Sequence, residues 1–433
     1  MNRRQFLEIV GAGLAASFLP TSITEASRIA PATEDQLGKL ESSRYPTVPE
    51  WLQLDLLEPN RAANLSNLVV VPERLYQRTN KEMVKMAVDF RQTFNPNNPS
   101  ELQSDIWGYG ESVRDALKRG QTAWLIFDLP DDYLASIDDL SIYFAALARR
   151  FTITDSSGNL RSARFVIGNE LNANSQTRTQ KYLEWYATVY VAAAKQMRVA
   201  TPELQLFPFG EAYYGNGSTL MAALDEIQAA SGGHLSSLVS GLCFHFYDDL
   251  SKIAERSRIY AQVAREYSLD PEQLHLMELS KSEKTATDYS IHDHQQTIVR
   301  NLATALALKQ MGTIQTCFWH TAENIADPNG HALFEHEGNY FAPKPQYFTF
   351  ELVSKLLYKI YHYAEVPNGS GQSLVEIKSK TSKGDDVTLT WFRFYNGSGK
   401  LIRETEPELT IARASDALSR RDIAYKLWLQ YIQ

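Results

Sequence analysis

Cysteine is almost missing from this chain: Cys243 and Cys317 are the only two in 433 residues. Two thiols cannot build a disulfide framework, nor a zinc site by themselves, so both are expected to be buried and free. Positive charge is also in short supply. Against 51 acidic residues stand 43 Lys and Arg, for a formal net charge of −8. With no basic patch to neutralise phosphates, nucleic acid is excluded as a partner. There is no glycine-rich phosphate turn after an early strand, no Gly-x-Ser-x-Gly elbow and no helical HExxH. His331, Glu335, His336 and Glu337 lack metal-ligand spacing and read as a solvated loop. No metal or cofactor is expected. Internal repeats and low-complexity tracts are absent as well.

What is present suits a folded protein with a large core: 44% of residues are hydrophobic and 22% charged. The length allows one large domain or two of ordinary size. Aromatics make up 11%, enough for the core and for faces on which sugars stack. The first thirty residues read as an address. Asn2-Arg3-Arg4-Gln5-Phe6-Leu7, followed by the apolar stretch Ile9 to Leu19, resembles a twin-arginine export signal. Gly11 and Gly13 break that stretch, which is short for a bilayer span. The alternative is an uncleaved membrane anchor; with no cysteine nearby, lipid attachment is excluded. The chain is expected to be exported already folded, to the periplasm or beyond, and to work as a monomer without stable membrane insertion.

From residue 31 to about 342, near-continuous apolar runs alternate with amphipathic stretches. Strands are expected at Asn67–Val71, Ala87–Arg91, Thr122–Leu129, Arg164–Glu170, Leu204–Phe209, Gly241–Tyr247, Gln273–Leu279 and Thr313–His320. The clearest helices lie at Thr179–Val199 and His294–Gln310. Apolar strands covered by helices on a parallel sheet, eight times over, predict a (β/α)₈ TIM barrel. Trp51–Leu57 also reads as a strand, and an open doubly wound sheet is the alternative architecture. After Pro343-Lys344-Pro345 come a linking helix, about Gln346 to Tyr361, and alternating runs at Ser373–Lys380, Asp386–Tyr395 and Glu408–Arg413. Residues 343–433 are therefore expected to form a small antiparallel β-module packed on the barrel, borrowing a strand from the Trp51 region.

Glu170 and Glu278 each close an apolar run, in RFVIGNELN and QLHLMELS. In a barrel such positions lie at the carboxyl ends of the fourth and seventh strands, where catalytic groups gather. A retaining glycosidase needs two such carboxyl groups: an acid to protonate the leaving oxygen and a carboxylate to attack the anomeric carbon. The sixth strand ends in Phe244-His245-Phe246-Tyr247, so His245 and Tyr247 share a face. From there a Tyr hydroxyl can hydrogen-bond a nucleophilic carboxylate. Asn169 is placed to reach a sugar 2-hydroxyl, and Trp319, near the end of the eighth strand, offers an indole floor for a ring.

Asn169-Glu170, His245-x-Tyr247, Glu278 and Trp319, each after its strand, resemble clan A retaining glycoside hydrolases. The passage Pro343-Lys344-Pro345-Gln346-Tyr347-Phe348-Thr349-Phe350 resembles that of the family 39 type. The resemblance implies retention of configuration, with Glu170 as acid/base and Glu278 as nucleophile. It also implies an arginine after the second strand, here Arg91. Two positions depart from the pattern: Gly168 stands where an aromatic is common, and Leu171 where proline is. The competing reading is a non-catalytic glycan-binding barrel that assists exopolysaccharide assembly or export.

Overall fold

A computed structural model describes residues 52–55, 82–89, 93–102, 113–114, 116–118, 120, 122–129, 136–173, 177–212, 216–247, 252–279, 291–319, 334–337, 340–343, 353, 356–369, 371–381 and 384–411. In chain order the strands begin with β1 (Leu52–Asp55), β2 (Glu82–Asp89) and β3 (Thr122–Asp128). A small antiparallel hairpin follows, β4 (Thr152–Thr154) and β5 (Leu160–Ser162). Then come β6 (Arg164–Ile167), β7 (Leu206–Pro208), β8 (Leu242–Phe246), β9 (Leu274–Leu279) and β10 (Thr316–Trp319). Without the hairpin, these strands pair in the order β7-β6-β3-β2-β1-β10-β9-β8, and every ladder is parallel. A parallel bridge between Glu211 and Phe244 joins the two ends of that row. The sheet is thus a closed (β/α)₈ barrel. Helices α1 (Ile137–Arg150), α2 (Gln180–Ala200), α3 (Ser218–Ala230), α4 (Ile253–Glu266) and α5 (Ile291–Gln310) occupy the crossovers from β3 onward.

The period of two along each strand divides the apolar residues between two cores. Trp124, Ile126, Val166, Phe207, Cys243 and Met277 meet inside the barrel. Their neighbours Leu125, Phe127, Phe165, Ile167, Phe244 and Leu276 point outward and pack with the helices. Both faces being buried, the strands read as unbroken apolar runs. Helix starts are fixed locally: the Ser136 hydroxyl accepts from the Asp139 N–H, and the Thr179 hydroxyl from that of Tyr182. Cys243 and Cys317 are buried and form no disulfide, as expected.

After β10 come a hairpin, β11 (Phe334–Glu337) and β12 (Tyr340–Pro343), and then a five-stranded antiparallel sheet. Its strands are β13 (Lys359–Pro367), β14 (Gln372–Lys380), β15 (Asp386–Tyr395), β16 (Leu401–Glu404) and β17 (Glu408–Ile411). Buried and partly exposed residues alternate along β14 and β15, the pattern of a sheet with one covered face. The module is fastened to the barrel by α5. The Gln310 side chain accepts from the Ile360 N–H and donates to the Tyr358 carbonyl, while Arg300 pairs with Glu404. Among the described residues no helix is long and apolar enough to cross a membrane.

Three expectations need correction. The first barrel strand is Leu52–Asp55, paired with β10 and β2; the Trp51 region therefore completes the barrel and is not lent to the module. Asn67–Val71 lies outside the described residues. The second strand starts at Glu82, earlier than Ala87, because Met86, Ala87 and Val88 are only the apolar end of a longer ladder with β3. The linking helix stops short of Tyr361, since β13 begins at Lys359 and pairs with β14.

Candidate active site

β6 ends at Ile167, and the chain then turns sharply. Gly168 has φ of 92° and donates its N–H to the Phe127 carbonyl at 2.8 Å. A Cβ on Gly168 would meet the Tyr186 ring at 3.1 Å and Phe209 at 3.3 Å, so its backbone and its surroundings both require glycine. Glu170 also lies in the left-handed region, with φ of 43°. A residue other than glycine held there stores strain of about 1–3 kcal/mol and persists only where its surroundings over-determine it. Two hydrogen bonds do so here: Glu170 N–H donates to the Gly210 carbonyl at 3.0 Å, and Ala173 N–H to the Glu170 carbonyl at 2.7 Å. The Asn172 side chain then accepts from the Ala212 N–H at 2.7 Å and ties this loop to the chain beyond β7.

Glu278 arrives by a different device. Between Leu276 and Glu278, β9 advances two residues while β8 advances one, from Phe244 to His245. On its other side β9 also runs one residue ahead of β10. Met277 is therefore the extra residue of a β-bulge, a feature that re-aims side chains beside functional sites. Met277 stays in the lumen, Leu276 and Leu279 face the helices, and Glu278 turns to the barrel mouth beside His245 and Tyr247.

His245 links the two carboxyl groups. Its Nδ1 lies 2.7 Å from Glu170 Oε1 and 3.4 Å from Glu278 Oε2. The Tyr247 hydroxyl donates to Glu278 Oε2. One oxygen of Glu170, one nitrogen of His245 and one oxygen of Glu278 all lie within 4.8 Å of one another. The His245 side chain is 1% exposed, Glu278 10% and Glu170 26%, so the pair opens to solvent on the Glu170 side. Behind the imidazole, Arg256 of α4 donates to the His245 carbonyl at 2.8 Å. The Asn169 side-chain oxygen is buried without a hydrogen-bond partner, as is His245 Nε2.

Among the described residues this is the one cluster of carboxylates, imidazoles or thiols close enough to share a cation. Its donors already engage one another, the imidazole with Glu170 and the phenol with Glu278. That arrangement suits exchange and placement of protons.

Of the residues singled out from sequence, Asn169, Glu170, His245, Tyr247 and Glu278 converge at the carboxyl ends of β6, β8 and β9. Trp319 is the last residue of β10, on the same rim of the barrel. Arg91 lies outside the described residues. Sequence reasoning missed Arg256 and Gly210. Arg256 shows no strand-end signal because it acts from a helix; Gly210 follows a strand immediately, and that position was its one available sign.

The sequence matches no family model and no curated protein. Solved structures do match. A glucosidase from Croceicoccus marinus is similar over 78% of this chain and 76% of its own, at 13% identity and a TM-score of 0.51. A GH39 beta-xylosidase from Caulobacter crescentus is similar over 80% of this chain and 77% of its own, at 13% identity and a TM-score of 0.50. BuGH86, in complex with neoagarooctaose, is similar over 86% and 72%, at 10% identity and a TM-score of 0.51. At these identities the likeness is one of fold: the chain shares its TIM barrel with glycoside hydrolases.

Proposed function

We propose that the chain is a retaining β-glycosidase of the clan A type, most like family 39, acting on a polysaccharide or oligosaccharide. The observation that carries this reading is the approach of Glu170 and Glu278, with oxygens within 4.8 Å of each other across one imidazole. Retaining enzymes hold their carboxyl groups at about 5–5.5 Å, whereas inverting enzymes leave about 6.5–9.5 Å for a water molecule.

The contacts support a role for each group. Tyr247 donates to Glu278, which favours the ionised, aimed carboxylate required of a nucleophile. Glu170 is the more exposed of the two and so the one to meet a departing oxygen and then a water. In the first step Glu278 attacks the anomeric carbon while Glu170 gives its proton to the glycosidic oxygen; the C–O bond breaks and a glycosyl-enzyme forms. In the second, Glu170, now a carboxylate, takes a proton from water as that water attacks the same carbon and frees Glu278. His245 keeps both groups in place through Nδ1. The unpaired oxygen of Asn169 is the group assigned to the sugar 2-hydroxyl. Residues 31–342 would form the catalytic unit, 343–433 its accessory module, and the Asn2 to Leu7 motif would direct export of a monomer.

Azide rescue tests the assignment. Glu278→Ala should lose several orders of magnitude in turnover on every substrate. Glu170→Ala should retain the first step on an activated aryl glycoside, whose leaving group needs no proton, and accumulate the intermediate. Azide needs no general base, so it should restore turnover of that variant and yield the β-glycosyl azide. With Glu278→Ala it should give the α-product. Rescue of neither variant, on a substrate the wild type cleaves, would sink the role assignment. A wild type that binds glycan and cleaves nothing would hand the function to the non-catalytic reading.

A further inference from the structure

The end of β7 contributes no side chain to the carboxylate pair, yet it touches Glu170 and the imidazole that links the pair. The Gly210 carbonyl accepts the Glu170 N–H at 3.0 Å. On its other side Gly210 faces the imidazole: an added Cβ would lie 2.5 Å from His245 Nε2 and 2.8 Å from Cδ2. Gly210 is not among the positive-φ glycines, so its own backbone would accept alanine. The ring, not the backbone, demands the missing side chain. Because Nε2 is buried with no hydrogen-bond partner, nothing polar fixes that edge of the ring. Its position is set by contact with Gly210 on one edge and by Glu170 at Nδ1 on the other.

The adjoining residue keeps Gly210 from retreating. Glu211 is fully buried, and its carboxylate accepts from the N–H of Gly217 at 2.7 Å, the N–H of Leu220 at 2.9 Å and the hydroxyl of Tyr260 at 2.7 Å. It serves as the remote cap of α3, whose N-cap Gly217 has no side chain to offer. Tyr260 in turn stacks on Phe244, with ring centroids 5.0 Å apart. The Glu211 carbonyl accepts the His245 N–H at 3.1 Å. The strand end is thereby clamped to α3, to α4 and to the strand that carries His245.

We infer that Gly210 is a positioning residue: its bare face sets where the His245 imidazole sits and hence where Nδ1 meets Glu170, and its carbonyl holds the Glu170 backbone. The consequence for turnover rests on the hydrolase reading; the steric coupling does not. A double-mutant cycle of Gly210→Ala with His245→Ala, followed by melting midpoint and by kcat on an aryl glycoside, separates the two. Gly210→Ala alone should lower the midpoint and cut kcat about 100-fold, the scale of a misplacement near 1 Å. In the His245→Ala background the same change should leave kcat within about twofold and the midpoint unchanged or raised, since alanine there only restricts the unfolded chain. Gly232→Ala, which strains a left-handed glycine with no atom within 4 Å of its added Cβ, should lower the midpoint without moving kcat. Equal losses from Gly210→Ala in both backgrounds would overturn the inference. A single variant that cannot fold beside a double variant that can is the expected result in its strongest form; a double variant that also fails to fold overturns it. Were the wild type to cleave nothing, the hydrolase reading would fall, and the midpoint cycle would still decide the coupling.

Discussion

Two charge clusters among the described residues are built on opposite rules. At the junction between barrel and module the charges alternate in sign. Glu404, whose side chain is 0% exposed, meets Arg393 at 3.0 Å and Arg300 at 3.2 Å, and accepts from the Trp391 indole N–H at 3.1 Å. Glu365 meets Arg393 at 2.6 Å and accepts from Ser373 and Tyr395. At the barrel mouth the acidic groups share a sign and rely on one imidazole and one phenol. There an imidazole nitrogen and an amide oxygen are left unpaired, and the backbone of Glu170 is left-handed. At the junction opposite charges hold two units together; at the mouth two carboxyl groups share one imidazole on a strained backbone. Departures from local rules are expected to collect at functional sites.

The largest test of this contrast exchanges stability for activity. Arg393→Met removes the cation that Glu404 and Glu365 share and, with Arg300 still on Glu404, should cost about 1.5–3 kcal/mol of unfolding free energy. Its kcat, measured on the folded fraction, should stay near that of the wild type. Glu278→Gln should do the reverse, abolishing turnover while the melting midpoint holds or rises, because an amide costs less to bury than a carboxylate. Calorimetry beside initial rates reads both; a mouth variant that melts like the junction variant would erase the distinction.

A smaller effect concerns strain alone. Glu170→Gly and Glu170→Ala remove the same carboxyl group, but only glycine is at ease at φ of 43°. The glycine variant should be the more stable by about 1 kcal/mol in denaturant titration, despite the usual entropic cost of glycine. An alanine variant of equal or greater stability would show that the turn carries no strain.

The smallest is the junction's response to acid. Burial pushes the Glu365 carboxyl upward, but the Arg393 guanidinium and the hydrogen bonds from Ser373 and Tyr395 outweigh it and leave it below its ordinary value. A carboxylate lowered in the folded state stabilises fully above its unfolded value, about pH 4.3, and loses that contribution as pH falls through the folded value. The melting midpoint should therefore drop more steeply for the wild type than for Glu365→Gln below about pH 4.3. Parallel curves would remove Glu365 from the account.

Much of this was legible in the sequence, for physical reasons that differ by region. The barrel strands from β3 onward announce themselves because both faces are buried and the runs are unbroken. β1 is four residues long, and its place is fixed by partners distant in sequence, Cys317 to Trp319 and Val84 to Lys85. The more apolar Asn67–Val71 competed with it on local pattern alone. Lys359–Tyr361 continues a run that includes Leu356 and Leu357 at helical spacing, so only its pairing with β14 reveals the start of β13. In the site, Glu170, His245, Tyr247 and Glu278 were legible as strand-end residues. Gly210 was not, because its importance arises where β7 closes onto β8, an event with no local signature. Gly168, which departs from the family pattern, proves to be fitted to its place by the Tyr186 ring.

The bulge in β9 makes the aim of Glu278 a matter of strand length. Met277 occupies the lumen with Trp124 and Ile126, and Glu278 is the next residue up. Loss of the single codon for Met277 would join Leu276 directly to Glu278 and draw the carboxylate down one step, about 3.3 Å, into the place of a thioether among aromatic rings. No substitution changes the site in that way, since every residue would survive except the spacer. The mouth would lose one of its two carboxyl groups and the lumen would gain a charge with no water to meet it. The chemistry of this barrel is written as much in the length of one strand as in the residues along it.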